Sequence, residues 1–194
     1  EDAATAIVAA VSGMGATVES LETKPQVEQA PLLYDLTTLQ REANRRFGFS
    51  AQRTLSTAQA LYDQHKLLTY PRTDSRALPE DYLKVVKDTM QMLAKGDLPG
   101  PLRPLAGHAA KALKEDYVKP VKRVFDNAKV SDHFAIIPTL QAPRSLTEIE
   151  AKLYDLVVKR FLAVFFPSAE SMVTTRISTL KVKDAEYKFQ TNGK

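Results

Sequence analysis

The chain contains no cysteine. A disulfide framework, a thiolate zinc site and a cysteine nucleophile are therefore all excluded. No apolar run approaches the roughly 18 to 20 residues that a membrane-crossing helix needs. The opening Glu1-Asp2-Ala3-Ala4 lacks the basic start of a secretory signal. Internal repeats and low-complexity tracts are missing as well. These absences fit a cytosolic globular protein. A hydrophobic content of 44% over 194 residues is enough to fill a real core, in one large domain or somewhat more.

Charge is nearly balanced, at a formal +4. Its placement says more than its sum. Arg41, Arg45, Arg46 and Arg53 fall within thirteen residues that hold a single acidic side chain, Glu42. Two readings stand side by side: a solvated helix face, or a contact surface for a polyanion.

Periodicity divides the chain. Residues 3–12 read as the end of a helix closed by Gly13 and Gly15, and Ala16 to Thr23 as a strand followed by polar Lys24 to Gln29. From residue 35 the period turns helical. Leu36, Leu39, Ala43 and Phe47 mark one face, Thr37 and Gln40 form a capping-box pair, and Gly48 ends the run. Ser50 caps the next helix, whose inward side is Leu55, Ala58, Leu61 and Tyr62. Leu83, Val86, Met90 and Leu93 predict a further helix after Pro79, ending at Gly96. A loop is expected over 97–107 and a short helix over 108–116. Ser145 and Glu148 predict a second capping box, opening the longest helix, which Pro167 stops. Residues 171–191 alternate as two strands about Lys183-Asp184-Ala185. The chain starts within a helix-like run and stops at Asn192-Gly193-Lys194, a hairpin signal without a following strand, so a piece of a longer protein is expected.

Between the helices lies Thr69-Tyr70-Pro71-Arg72-Thr73-Asp74-Ser75-Arg76. Pro71 biases Tyr70 toward extended backbone. In such backbone, positions i and i+2 share a face, so the Arg72 guanidinium is placed to reach a phosphate under attack by Tyr70. A phenol of ordinary pKa near 10 needs that help to act as a nucleophile. Chemistry alone leaves open a plain packing role for this tyrosine at a strand end.

The segment Leu68-Thr69-Tyr70-Pro71-Arg72-Thr73-Asp74-Ser75 resembles the active-site segment of type IA DNA topoisomerases. The likeness extends upstream through Leu36-Thr37-Thr38-Leu39-Gln40-Arg41-Glu42-Ala43 and Arg46-Phe47-Gly48-Phe49-Ser50-Ala51. Downstream it includes Ser131-Asp132-His133-Phe134-Ala135-Ile136-Ile137-Pro138-Thr139. The wording around Gln40-Arg41-Glu42 and Ile136-Ile137 is nearer to the bacterial topoisomerase III branch.

The resemblance implies an α+β fold in which a mostly helical domain, 32–166, is inserted between strands of a β-rich arch, 1–31 and 167–194. It implies that Tyr70 attacks single-stranded DNA to form a 5′-phosphotyrosyl bond, with Arg72 on the scissile phosphate and His133 beside it. Read without the resemblance, His133 serves equally as a satisfied core residue. Arg41, Arg45, Arg46, Arg53, Thr73 and Ser75 are expected on the DNA, and His65 and His108 on the surface. Mg²⁺ is expected in the full-length enzyme on ligands outside this chain, since no Asp-x-Asp-x-Asp run occurs here. The implied partners are single-stranded DNA, an N-terminal acidic metal-binding domain and a C-terminal region of the same polypeptide. The implied location is the bacterial cytoplasm, with the nucleoid. A non-catalytic helical DNA-binding module is the alternative, and a purely structural gate piece a third.

Overall fold

A computed structural model describes residues 2–95 and 98–194. The fold is α+β, with six α-helices and a three-stranded antiparallel sheet among the described residues. The chain divides into two compact units. Ala30–Pro167 makes one, and the stretches before and after it make the other.

The strand-rich unit contains α1 (Asp2–Val11), β1 (Thr17–Glu28), β2 (Ala169–Val182) and β3 (Ala185–Gly193), with β2 central. Branched Val173, Thr175 and Ile177 suit that central pleated position. β1 runs five residues past the Thr23 expected from pattern, because a polar segment can serve as an exposed edge strand. Pro25 pairs with Met172 in it, and an edge strand tolerates the missing N–H. The β2–β3 turn is Lys183-Asp184 alone, closed by the Val182–Ala185 pair, with Lys183 at φ 54°. Asn192 and Gly193 are not a turn. They pair with Thr175 and Thr174, since β2 is long enough to extend the ladder over them.

The helical unit contains α2 (Leu36–Phe47), α3 (Ala51–Asp63), α4 (Leu83–Ala94), α5 (Arg103–Lys114) and α6 (Glu148–Ala163). Both capping boxes fall elsewhere than the pattern predicts. The Asp35 carboxylate accepts from Thr38 N–H at 2.6 Å while the Thr38 hydroxyl accepts from Asp35 N–H. Gln40, left without a capping role, donates to the Ala51 carbonyl instead. Likewise Thr147 and Glu150, not Ser145 and Glu148, cap α6. In each case the short acceptor immediately before the first helical residue wins, because only there do the free N–H groups converge on it. Gly48 closes α2 in the left-handed region at φ 68°.

The inner side of α3 is Thr54, Thr57, Ala58 and Leu61, with Leu55 only half-buried. The two threonines bury without penalty because each hydroxyl donates to a carbonyl one turn back. α5 begins five residues earlier than expected, since Pro104 sits in its first turn rather than in a loop. The expected stop at Gly96 and the start of the loop at Asp97 lie outside the described residues. All these helices share one apolar core, with Leu39, Leu61, Met90, Leu93, Ala109, Tyr154 and Phe161 fully buried.

The segment leading into this unit carries carbonyls that no secondary structure satisfies, and arginines satisfy them. Arg123 donates to Ala30 O, Arg160 to Leu32 O at 3.0 Å, and Arg76 to Leu33 O at 3.2 Å. Ile136 N–H bonds Tyr34 O at 2.8 Å. Arg160 also bonds the Tyr34 hydroxyl at 3.1 Å and lies 4.1 Å from its ring centroid. Three cations from distant sequence positions thus hold one irregular strip of backbone.

Candidate active site around Tyr70

After α3 the chain reverses at Lys66, which takes φ 56°. Leu67 N–H returns to Leu61 O at 2.8 Å, and the Thr139 hydroxyl fixes Lys66 O at 2.6 Å. The following residues then run alongside the 129–139 segment. Thr69 N–H bonds Ile137 O at 3.0 Å, while its hydroxyl donates to Ala135 O and accepts from Ile137 N–H, both at 2.9 Å. Thr139 N–H bonds Leu67 O at 3.0 Å, and Leu68 bridges Pro138. Further on, the Thr73 hydroxyl donates to His133 O at 3.2 Å, and Ser75 Oγ donates to Lys129 O at 2.7 Å.

That zipper brings His133, more than sixty residues away in sequence, onto Tyr70. Their ring centroids are 4.3 Å apart with planes at 44°. Tyr62, from the last turn of α3, stands edge-to-face with Tyr70 at 5.3 Å and 77°. The Tyr70 ring is half-buried, and His133 is exposed. His133 is therefore no core residue.

Burial alternates along the segment: Pro71, Thr73 and Ser75 turn inward, while Arg72 and Asp74 are exposed. This agrees with extended backbone and with Tyr70 and Arg72 sharing an outer face. Thr73 and Ser75, expected on DNA, turn inward in this geometry. They are only 8% and 5% exposed, and both are spent on backbone partners. Thr73 O further accepts from Leu36 N–H at 3.0 Å, tying the start of α2 to the tyrosine segment.

The arginine cluster on α2 and α3 is exposed. Arg45 and Arg46 share one Glu42 carboxylate oxygen and hold that carboxyl below its usual range. Arg53 lies over Phe49 at 5.1 Å. Among the described residues Arg41 has no ion pair, and no hydrogen bond or ring contact joins this cluster to Tyr70.

Two histidine expectations separate. His108 is exposed as expected, but His65 is half-buried with Nε2 3.1 Å from Glu150 Oε1. Burial pushes the Glu150 carboxyl up, while its bonds from Thr147 and His65 outweigh that and hold it below the usual range. Glu150 thus joins the α6 cap to the turn that launches the Tyr70 segment. No spacing in the sequence signals it.

Among the described residues no group of three or more His, Asp or Glu side chains is placed to hold a metal ion. No helix among the described residues is long and apolar enough to cross a membrane.

The extended Tyr70 segment is thus zipped to the His133 loop within the helical unit. The model for DNA topoisomerase matches residues 1–194, and the chain belongs to that family, in its type IA class. Within it the similarity runs to topoisomerase 3. The chain is 48% identical over 166 residues to the DNA topoisomerase 3 of Bacillus licheniformis, covering 84% of this chain and 22% of that protein. It is 43% identical over 182 residues to that of Bacillus subtilis strain 168, covering 93% and 24%. The fold also matches full-length topoisomerase I from Thermotoga maritima, with a TM-score of 0.62 at 22% identity, over 97% of this chain and 30% of that one. The chain therefore spans less than a quarter of the curated relatives it matches.

Proposed function

We propose that this chain supplies the nucleophile-bearing part of a topoisomerase that cuts one DNA strand, passes DNA through the break and reseals it. In the cut, Tyr70 Oη bonds to phosphorus, giving a 5′-phosphotyrosyl ester and releasing the 3′-oxygen. The phenol loses its proton, and the leaving oxygen gains one. Resealing reverses both transfers. The observation that supports this most is the placement of Tyr70 against His133 on an exposed strip with Arg72. In this reading Arg72 neutralises the scissile phosphate and His133 bonds it or the leaving oxygen. The exposed arginines Arg41, Arg45, Arg46 and Arg53 hold the strand by its backbone. Unit 30–167 is then the part that carries the cut end, joined to a strand-rich arch through the segments near Pro31 and Pro167. Mg²⁺, which stabilises charge at a reacting phosphate, belongs on acidic residues of the remaining polypeptide. The same reading puts the enzyme in the bacterial cytoplasm, on the nucleoid.

The chain alone should therefore bind single strands and fail to cleave them. Incubated with a labelled oligonucleotide and Mg²⁺, it should give no denaturant-stable adduct, whereas the intact enzyme should give one that maps to the peptide containing Tyr70. An adduct on another residue sinks the assignment. No adduct from the intact enzyme favours the alternative, a non-catalytic DNA-binding module.

Arg72→Lys separates clamping from mere charge. A guanidinium fork can grip two phosphate oxygens, and an ammonium cannot. In the intact enzyme, single-turnover cleavage at saturating DNA should fall at least about tenfold. Removing Arg45 and Arg46 should instead weaken binding, lowering the salt-dependence slope by about 0.7 per lost contact. If Arg72→Lys changes only affinity, Arg72 is a binding residue and not a catalytic one.

A further inference from the structure

Tyr62 has no role in the chemistry above, yet it touches the nucleophile. It lies on the last turn of α3, eight residues before Tyr70, and the Lys66 reversal folds the chain so that the two rings meet edge-to-face. Lys66 Nζ lies 5.7 Å from the Tyr62 ring centroid, a cation–π distance. The turn is anchored by Leu67 N–H on Leu61 O and by the Thr139 hydroxyl on Lys66 O, so Tyr62 sits on a fixed base. The Tyr70 ring is thus in contact with two rings from separate elements, His133 and Tyr62.

We propose that Tyr62 is a positioning residue for strand cleavage: its ring, with that of His133, confines the Tyr70 ring to one orientation, so that Oη is aimed before DNA arrives. The proposal rests on Tyr70 being the nucleophile. An aryl ring attached at Cβ rotates about two bonds, and an attacking oxygen displaced by even about 1 Å loses much of its rate. Edge-to-face pairing resists that rotation, and the resistance comes from the ring and not from the Tyr62 hydroxyl. Phenylalanine should therefore replace Tyr62, whereas an aliphatic side chain of similar bulk should not.

The test uses the intact enzyme and a single-stranded oligonucleotide, with Tyr62→Phe, Tyr62→Leu, Tyr62→Ala and Tyr70→Phe side by side. The expected result is an about tenfold slower single-turnover cleavage at saturating DNA for the leucine and alanine variants. Their Kd for the oligonucleotide should stay within about twofold, and Tyr62→Phe should cleave within about twofold of wild type. The proposal is overturned if Tyr62→Leu cleaves like wild type, if Tyr62→Phe is as slow as Tyr62→Leu, or if the whole loss appears in Kd. Should Tyr62→Ala fold poorly, the phenylalanine and leucine pair still decides. Tyr70→Phe reports separately on the nucleophile. If that variant still forms an adduct, the assignment of Tyr70 fails, whatever Tyr62 does.

Discussion

Tyr70→Phe in the intact enzyme is expected to lower strand cleavage by at least about a thousandfold while leaving the fold intact. The variant loses one oxygen and nothing else. Among the described residues that oxygen makes no hydrogen bond, so its removal orphans no partner. The ring that remains keeps its places against His133 and Tyr62. Stability should therefore shift by less than about 1 kcal/mol, the scale of one ordinary hydrogen bond. Adduct formation on denaturing gels and thermal melting, measured on the same preparation, check both halves. Cleavage near the wild-type rate would show that another residue attacks.

Arg160→Ala should have the largest effect on stability of the changes considered. Arg160 reaches from α6 to the lead-in strip, bonding Leu32 O and the Tyr34 hydroxyl and covering the Tyr34 ring. Tyr34 is almost wholly buried and Leu32 half-buried, so the freed hydroxyl in particular cannot turn to water without disturbing the core. Hydrogen bonds from a charged donor contribute about 1.5–3 kcal/mol each, and orphaned acceptors add a desolvation cost. A loss of about 3 kcal/mol is expected, read from urea unfolding at 222 nm, where the helical unit dominates. Arg160→Lys should recover less than half of it, because an ammonium cannot serve both acceptors in that geometry. A loss below about 1 kcal/mol would mean that the strip is held mainly by Arg76, Arg123 and the Tyr34–Ile136 bridge.

The contrast between Tyr70 and its neighbours shows what pattern reading can carry. The period-two rule that put Tyr70 and Arg72 on one face also places Thr73 and Ser75 on the other. Burial follows the rule, and both side chains turn inward to backbone partners. The capping boxes fail for a different reason. Several Ser, Thr and Asp residues stand near each helix start, and only the backbone direction chooses among them. Helix cores were more legible, because Leu39, Ala43, Val86, Met90 and Leu93 recur at helical spacing and solvent penalises any other facing. Leu55 departs from that rule because the threonine hydroxyls on α3 found carbonyls of their own, which leaves Thr54 and Thr57 free to be buried.

By itself, the sequence determined the α+β class, most helices, the extended Tyr70 segment and the topoisomerase family, because each depends on neighbours along the chain or on a motif read in order. Tertiary structure alone decided which side chains meet. His133 and Tyr62 reach Tyr70 only because the 67–75 and 129–139 segments exchange backbone hydrogen bonds and Lys66 reverses the chain. Arg76, Arg123 and Arg160 converge on residues 30–33 only after the helices have packed. Contacts between residues far apart in sequence depend on where the core places whole elements, and no local period encodes that.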